Sequence, residues 1–68
     1  MQYGVIKYYD PIKGFGFILT EEDDEIYFSD KDIHPKSRNI QPREGLKVGF
    51  DLKREIKGDR AVNVRFLK

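Results

Sequence analysis

The sequence predicts an all-β domain in which five short antiparallel strands close into a small barrel. Three observations point there. Apolar residues recur at every second position, most cleanly as Leu46, Val48, Phe50 and Leu52 between Lys47, Gly49, Asp51 and Lys53. Turn-forming residues break the chain into short runs, as in Asp10-Pro11-Ile12-Lys13-Gly14 and Lys57-Gly58-Asp59. The chain has 68 residues and no cysteine. No disulfide can therefore staple it, and closing the sheet on itself is the economical way to remove exposed strand edges.

The first strand is read over Val5-Ile6-Lys7-Tyr8-Tyr9, where β-branched and aromatic residues favour extended backbone. Its alternation is broken by the adjacent pairs Val5-Ile6 and Tyr8-Tyr9. With Ile6 inward, strict alternation also turns Tyr8 inward. A bulge between them turns Tyr8 outward. Pro11 and Gly14 then make a tight turn, so the second strand, Gly14 to Leu19 or Thr20, is an antiparallel neighbour of the first. Glu21-Glu22-Asp23-Asp24 is a solvated acidic loop without calcium-loop spacing. The third strand is Glu25 to Ser29.

Asp30 to Pro35 holds one helical turn, with Ile33 plugging the end of the core. Pro35 to Gly45 is a long basic loop, expected to be mobile, whose only aliphatic residue is Ile40. The fourth strand runs from Leu46 to Arg54 and the fifth from about Arg60 to Phe66. In the fifth, alternation puts Val62, Val64 and Phe66 on one face and Ala61, Asn63 and Arg65 on the other. One domain, residues 1–68, accounts for the chain, with no repeat or linker.

Charge is balanced in total and unequal in distribution. Thirteen basic side chains face twelve acidic ones. Residues 21–32 hold seven acids and only Lys31 as a base, whereas residues 33–68 hold ten bases against Glu44, Asp51, Glu55 and Asp59. A nucleic-acid binder needs a local positive face rather than a positive total. No apolar run is long enough to span a membrane, and the N-terminus carries no secretory pattern. The expectations are a cytoplasmic monomer without membrane contact. The single histidine, His34, has no nucleophile or carboxylate arranged around it and cannot build a multi-histidine metal site. No catalytic residue, metal site or cofactor is expected.

The segment Lys13-Gly14-Phe15-Gly16-Phe17-Ile18 organises the functional reading. Phe15 and Phe17 share one strand face, and Ile18 takes the other. In the third strand Tyr27 points away from Ile26 and Phe28. Pairing these strands gathers Phe15, Phe17 and Tyr27 with Lys13 at the edge, a pattern suited to stacking unpaired bases and meeting their phosphates. An overpopulated core face would give the same pattern.

These residues carry a resemblance. Gly4, Lys7, Tyr8, Lys13-Gly14-Phe15-Gly16-Phe17-Ile18, Ile26-Tyr27-Phe28, Ile33, Gly45, Val48, Phe50, Gly58 and Ala61-Val62-Asn63-Val64 stand where the cold-shock domain family places equivalent residues. The chain resembles that family over essentially its whole length. The resemblance implies a barrel of the oligonucleotide-binding (OB-fold) type and a single-stranded RNA- or DNA-binding function of low sequence preference. It implies stacking by Phe15, Phe17, Tyr27 and Tyr8, and contacts from Lys7 and Lys13 to phosphates or polar base edges. Roles in RNA chaperoning or in regulating transcription or translation come with it. A core of Ile6, Ile18, Ile26, Phe28, Ile33, Val48, Phe50 and Val64 is also implied, which favours the bulge after Ile6.

The chain departs from the pattern at several positions. Tyr8 stands where the family usually has tryptophan, and Asp10 where asparagine is common. The second motif ends Ser29-Asp30 instead of histidine and an aromatic residue, so Ser29 can hydrogen-bond a ligand but not stack, and Asp30 introduces a negative charge. The long loop has Lys36-Ser37-Arg38-Asn39 in place of an aromatic, with Arg38 offering phosphate attraction. Weaker and more salt-sensitive binding than the family norm is expected. The alternative function is a protein-interaction module on the same barrel.

Overall fold

The computed structural model describes residues 1–67; the expected domain extends to Lys68, which lies outside the described residues. Five strands, β1 (Gln2–Asp10), β2 (Phe15–Thr20), β3 (Glu25–Ser29), β4 (Lys47–Lys53) and β5 (Arg60–Leu67), close a barrel in the order β1-β2-β3-β5-β4. Two 3-10 turns, Asp30–Asp32 and Pro35–Ser37, follow β3. The expected strands are all present, with β1 starting earlier than the sequence suggests.

Four of the five strand pairings are antiparallel, and the contact of β3 with β5 at Tyr27 and Arg60 is parallel. The barrel is thus mainly antiparallel, as the sequence predicts. Strand direction cannot alternate all the way around a ring of odd number, so one seam must be parallel. That seam carries a single register pair, Tyr27 with Arg60, extended by an isolated bridge from Ile33 to Val64.

β1 serves both of its neighbours, and a bulge resolves its two apolar pairs. Ile6 pairs with Ile18 and Tyr8 with Phe17, leaving Lys7 without an opposite residue. Ile6 is buried and Tyr8 is exposed, so the bulge turns the ring outward. Gly45 (φ 87°) brings the long loop back onto β1, where its N–H donates to the Ile6 carbonyl at 2.8 Å.

The core comprises Ile6, Ile18, Phe28, Ile33, Val48, Phe50, Ala61, Val64 and Phe66, with Tyr9, Ile26, Ile40, Leu46 and Leu52 packed at its margins. Strict alternation in β5 is corrected. Asn63 adopts φ 51°, and the ladder passes from Gly49–Arg65 to Asp51–Val62, with one extra residue on β5. Ala61 and Val64 therefore both point inward, while Val62 is only half-buried. Asparagine tolerates this left-handed conformation better than a β-branched residue would, and its side-chain amide donates to Asp51 Oδ2 at 3.2 Å.

The long loop is tied to the barrel at both ends of its second 3-10 turn. The His34 N–H donates to the Val64 carbonyl at 2.8 Å. Ser37 is buried, and its hydroxyl accepts from the Phe66 N–H at 3.2 Å. The rest of the loop lies at the surface, with Ile40 and Pro42 partly buried.

Candidate nucleic-acid interface

Strand pairing builds the aromatic face. Phe17 lies opposite Tyr8 on one side and Tyr27 on the other, and Phe15 lies between Asp10 and Ser29. The four rings form one patch. Centroids are 6.2 Å apart for Tyr8 and Phe15, 6.5 Å for Tyr8 and Phe17, 6.0 Å for Phe15 and Phe17, and 5.9 Å for Phe15 and Tyr27. Phe15 and Phe17 meet edge to face at 87°, whereas the planes of Phe15 and Tyr27 are within 27°. Tyr8 and Tyr27 are 43% and 36% exposed. Phe15 and Phe17 are half-buried, because the outer rings and each other cover their edges. Ile18 is fully buried on the opposite face.

Gly16 separates face from core. A Cβ there would stand 2.3 Å from the Tyr8 carbonyl oxygen and 3.0 Å from the Phe28 ring. The glycine lets β1 and the Phe28 ring close onto β2 while both flanking phenylalanines point outward.

The cations differ in availability. Lys13 is exposed at the turn before the platform. Its backbone N–H and that of Ile12 donate to Asp10 Oδ1 at 3.1 and 2.9 Å, and the Gly14 N–H closes the turn on the Asp10 carbonyl at 2.8 Å. Asp10 thus does the turn-fixing work with a carboxylate. Lys7, on the bulge, is exposed and paired with Glu25 at 2.8 Å. Arg38 is exposed on the long loop.

Ser29 sits apart from the solvent-facing group. It is 8% exposed, its N–H and hydroxyl lie 3.0 and 3.2 Å from Asp32 Oδ2, and its Oγ accepts from Arg60 Nη2 at 3.2 Å. The expected ligand hydrogen bond from Ser29 meets a hydroxyl already engaged inside the protein. Asp30 is exposed and also has a partner, since the Tyr9 hydroxyl donates to its Oδ1. Tyr9 stacks on Phe28 with centroids 6.0 Å apart and planes 14° apart. Partial burial, then the hydrogen bond to Asp30 and the charges of Asp30 and Asp10, push the Tyr9 phenol up to about 12.

Arg60 was not among the expected site residues. Its guanidinium carbon lies 5.4 Å from the Tyr27 ring centroid, and the guanidinium is ion-paired with Asp32 and, at 3.6 Å, with Glu55. The hydrogen bond to Asp32 leads the effects that hold Arg60 above its usual range. The parallel β3–β5 seam brings it to Tyr27, and no local pattern in the sequence announces that seam. Among the described residues no group of three or more acidic or histidine side chains is placed to hold a metal ion. No helix there is long and apolar enough to cross a membrane.

A closed five-stranded barrel with an aromatic outer face is of the oligonucleotide-binding type. Residues 2–67 match the 'Cold-shock' DNA-binding domain, and the chain belongs to that family. It is a family of nucleic-acid-binding proteins, not of enzymes. Relatives include the cold shock protein CspC of Bacillus subtilis, 34% identical over 65 residues that cover 96% of this chain and 97% of that protein. The cold shock-like protein of Aquifex aeolicus is 36% identical over 66 residues, covering 94% and 91%. The Retron Se72 cold shock-like protein of Salmonella heidelberg is 31% identical over 65 residues, covering 96% and 97%.

Proposed function

We propose that this chain binds single-stranded RNA or DNA by stacking bases on Tyr8, Phe15, Phe17 and Tyr27, with low sequence preference along that face. The observation that carries the reading is the continuity of the four rings, with neighbouring centroids 5.9–6.5 Å apart on one partly exposed surface. Each base has an apolar π-face, so such a surface accepts any base and excludes its pairing partner. Holding strands unpaired is a chaperone activity in itself, and it also suits a regulator of transcription or translation. The protein acts as a monomer in the cytoplasm on this reading, without a cofactor.

Lys13 meets phosphate directly, and Lys7 does so once it leaves Glu25. Arg38 adds charge from the loop. Ser29 contributes through Arg60 and Asp32, which it orients, instead of touching the ligand. Binding is weak and salt-sensitive, because two of the usual stacking positions are Ser29 and Asp30.

A titration of isotope-labelled protein with a short pyrimidine oligonucleotide at low salt tests the reading. The Phe15 and Phe17 amide signals should shift together and saturate, and the shift should fade as salt is raised. No shift at low salt would overturn it, and would leave the face to a protein partner.

A further inference from the structure

A cleft of about 330 Å³ opens beside the platform, within the range of small-molecule sites. The end of the barrel contributes Tyr9, Asp30 and Ile33 to its lining, and the long loop contributes Arg38, Asn39 and Gln41. It adjoins the platform at Phe15. Asp30 follows Ser29, the strand partner of Phe15, and its N–H donates to the carbonyl of Gly14, the residue before Phe15, at 2.9 Å. A strand of bases lying on Phe15 therefore has this cleft as its next position.

The chemistry of the cleft is polar where the platform is apolar. Asp30 Oδ1 accepts from the Tyr9 hydroxyl. In that bond the phenol donates and the carboxylate accepts. Oδ2 takes no hydrogen bond among the described residues and lies toward Gly14, where an added Cβ would be 2.8 Å from it. A carboxylate held in place, with one oxygen open, accepts hydrogen bonds and offers none. Arg38, on the same cleft, only donates, and no ion pair joins the two among the described residues.

We infer that Asp30, together with Arg38, selects guanine at the base position beyond Phe15. This rests on the single-strand-binding reading above. Guanine is the base whose Watson–Crick edge presents two adjacent donors, N1–H and the N2 amino group, beside an acceptor, O6. The open carboxylate oxygen accepts from the donors and the guanidinium donates to O6. Uracil and thymine place a carbonyl on each side of their one N–H, and adenine and cytosine place a bare ring nitrogen where guanine has N1–H. Each of these sets an acceptor against the carboxylate. The charge that costs stacking thus discriminates between bases at one position.

The test is a set of titrations at one low salt concentration. The ligands are a seven-thymine oligonucleotide and versions of it carrying one guanine at each position in turn. The preferred guanine position is then filled with inosine, which lacks the N2 amino group, or with 1-methylguanine, which lacks N1–H. The wild type should bind the best guanine version about tenfold more tightly than the thymine oligonucleotide. Inosine should retain part of that gain and 1-methylguanine none. Asp30→Asn keeps an oxygen for Tyr9 but replaces the open acceptor with a donor, and should bring the preference to within about twofold. Equal binding of guanine and thymine versions overturns the inference and leaves the stacking reading intact, whereas no binding to any ligand overturns both. Undiminished binding of 1-methylguanine overturns it on the wild-type chain alone, whether or not the variant folds.

Discussion

The guanidinium of Arg60 lies against the ring of Tyr27 while its Nη2 is bound to Asp32. This one side chain joins the start of β5, the platform edge on β3 and the 3-10 turn after it. Arg60 and Asp32 side chains are only 17% and 9% exposed, and Asp32 also faces the Ser29 N–H and hydroxyl. The parallel seam has just one ladder pair of its own, so this cluster carries much of the closure of the barrel.

Removing Arg60 leaves Asp32 a poorly solvated charge with only Ser29 to satisfy it. Arg60→Ala is expected to cost about 3 kcal/mol of stability, as for broken buried ion pairs. Chemical denaturation measures it. A loss below about 1 kcal/mol would mean that the pair behaves as an exposed one.

Tyr9 gives the fold an alkaline limit. Its phenol titrates at about 12 in the folded chain against 10.0 for an ordinary tyrosine. The folded state therefore holds its proton where the unfolded state has lost it. The Tyr9 contribution is complete below pH 10 and declines as pH rises from about 10 to about 12. Denaturation midpoints of wild type and Tyr9→Phe across that window should converge as pH rises. Parallel profiles would show that the Tyr9–Asp30 contact carries no linkage.

Gly16 is expected to admit no side chain. A Cβ at 2.3 Å from the Tyr8 carbonyl oxygen meets backbone, which cannot rotate away, and the Phe28 ring blocks the other direction. Gly16→Ala should destabilise the domain by at least about 1–3 kcal/mol, the cost of overpacking a tight core. Thermal unfolding checks this, and a change within about 0.5 kcal/mol would contradict the close approach of β1 and β2.

The strands and most of the site were legible because both rest on period two. Phe15, Phe17 and Tyr27 needed only the pairing of two adjacent strands to come together. The outward turn of Tyr8 needed the bulge at Lys7, which the doubled apolar pairs in β1 signalled. What stayed hidden depends on contacts between distant parts of the chain. The β3–β5 seam places Arg60 over Tyr27 across 33 residues, and nothing near Arg60 distinguishes it from the other bases of the second half. Ser29 reads as a polar strand end, and only the turn that follows shows its hydroxyl committed to Asp32 and Arg60. In β5, the left-handed Asn63 hid the inward turn of Ala61, since alternation was the only guide to its faces.

The clearest separation of folding from binding lies between the neighbours Phe17 and Ile18. Ile18 is fully buried and pairs across both adjacent strands with Ile6 and Ile26. Ile18→Ala should cost about 2–5 kcal/mol of stability through lost packing. Phe17 lies on the outer face against Tyr8, Phe15 and Tyr27, with centroids at 6.5, 6.0 and 6.2 Å. Its truncation removes ring contacts that the folded chain does use, so some stability is lost, about 0.5–1.5 kcal/mol for the aromatic pairs. The larger effect should fall on ligand. Phe17→Ala is expected to weaken binding to a single-stranded oligonucleotide by about 1–3 kcal/mol, the usual worth of one stacked base. Ile18→Ala, measured at a temperature where it remains folded, should bind nearly as wild type, because its side chain does not reach the outer face. Thermal unfolding and oligonucleotide titration on the same two variants supply both numbers for each. Wild-type affinity in Phe17→Ala, with a stability loss like that of Ile18→Ala, would make the ring a core residue and remove the central member of the platform.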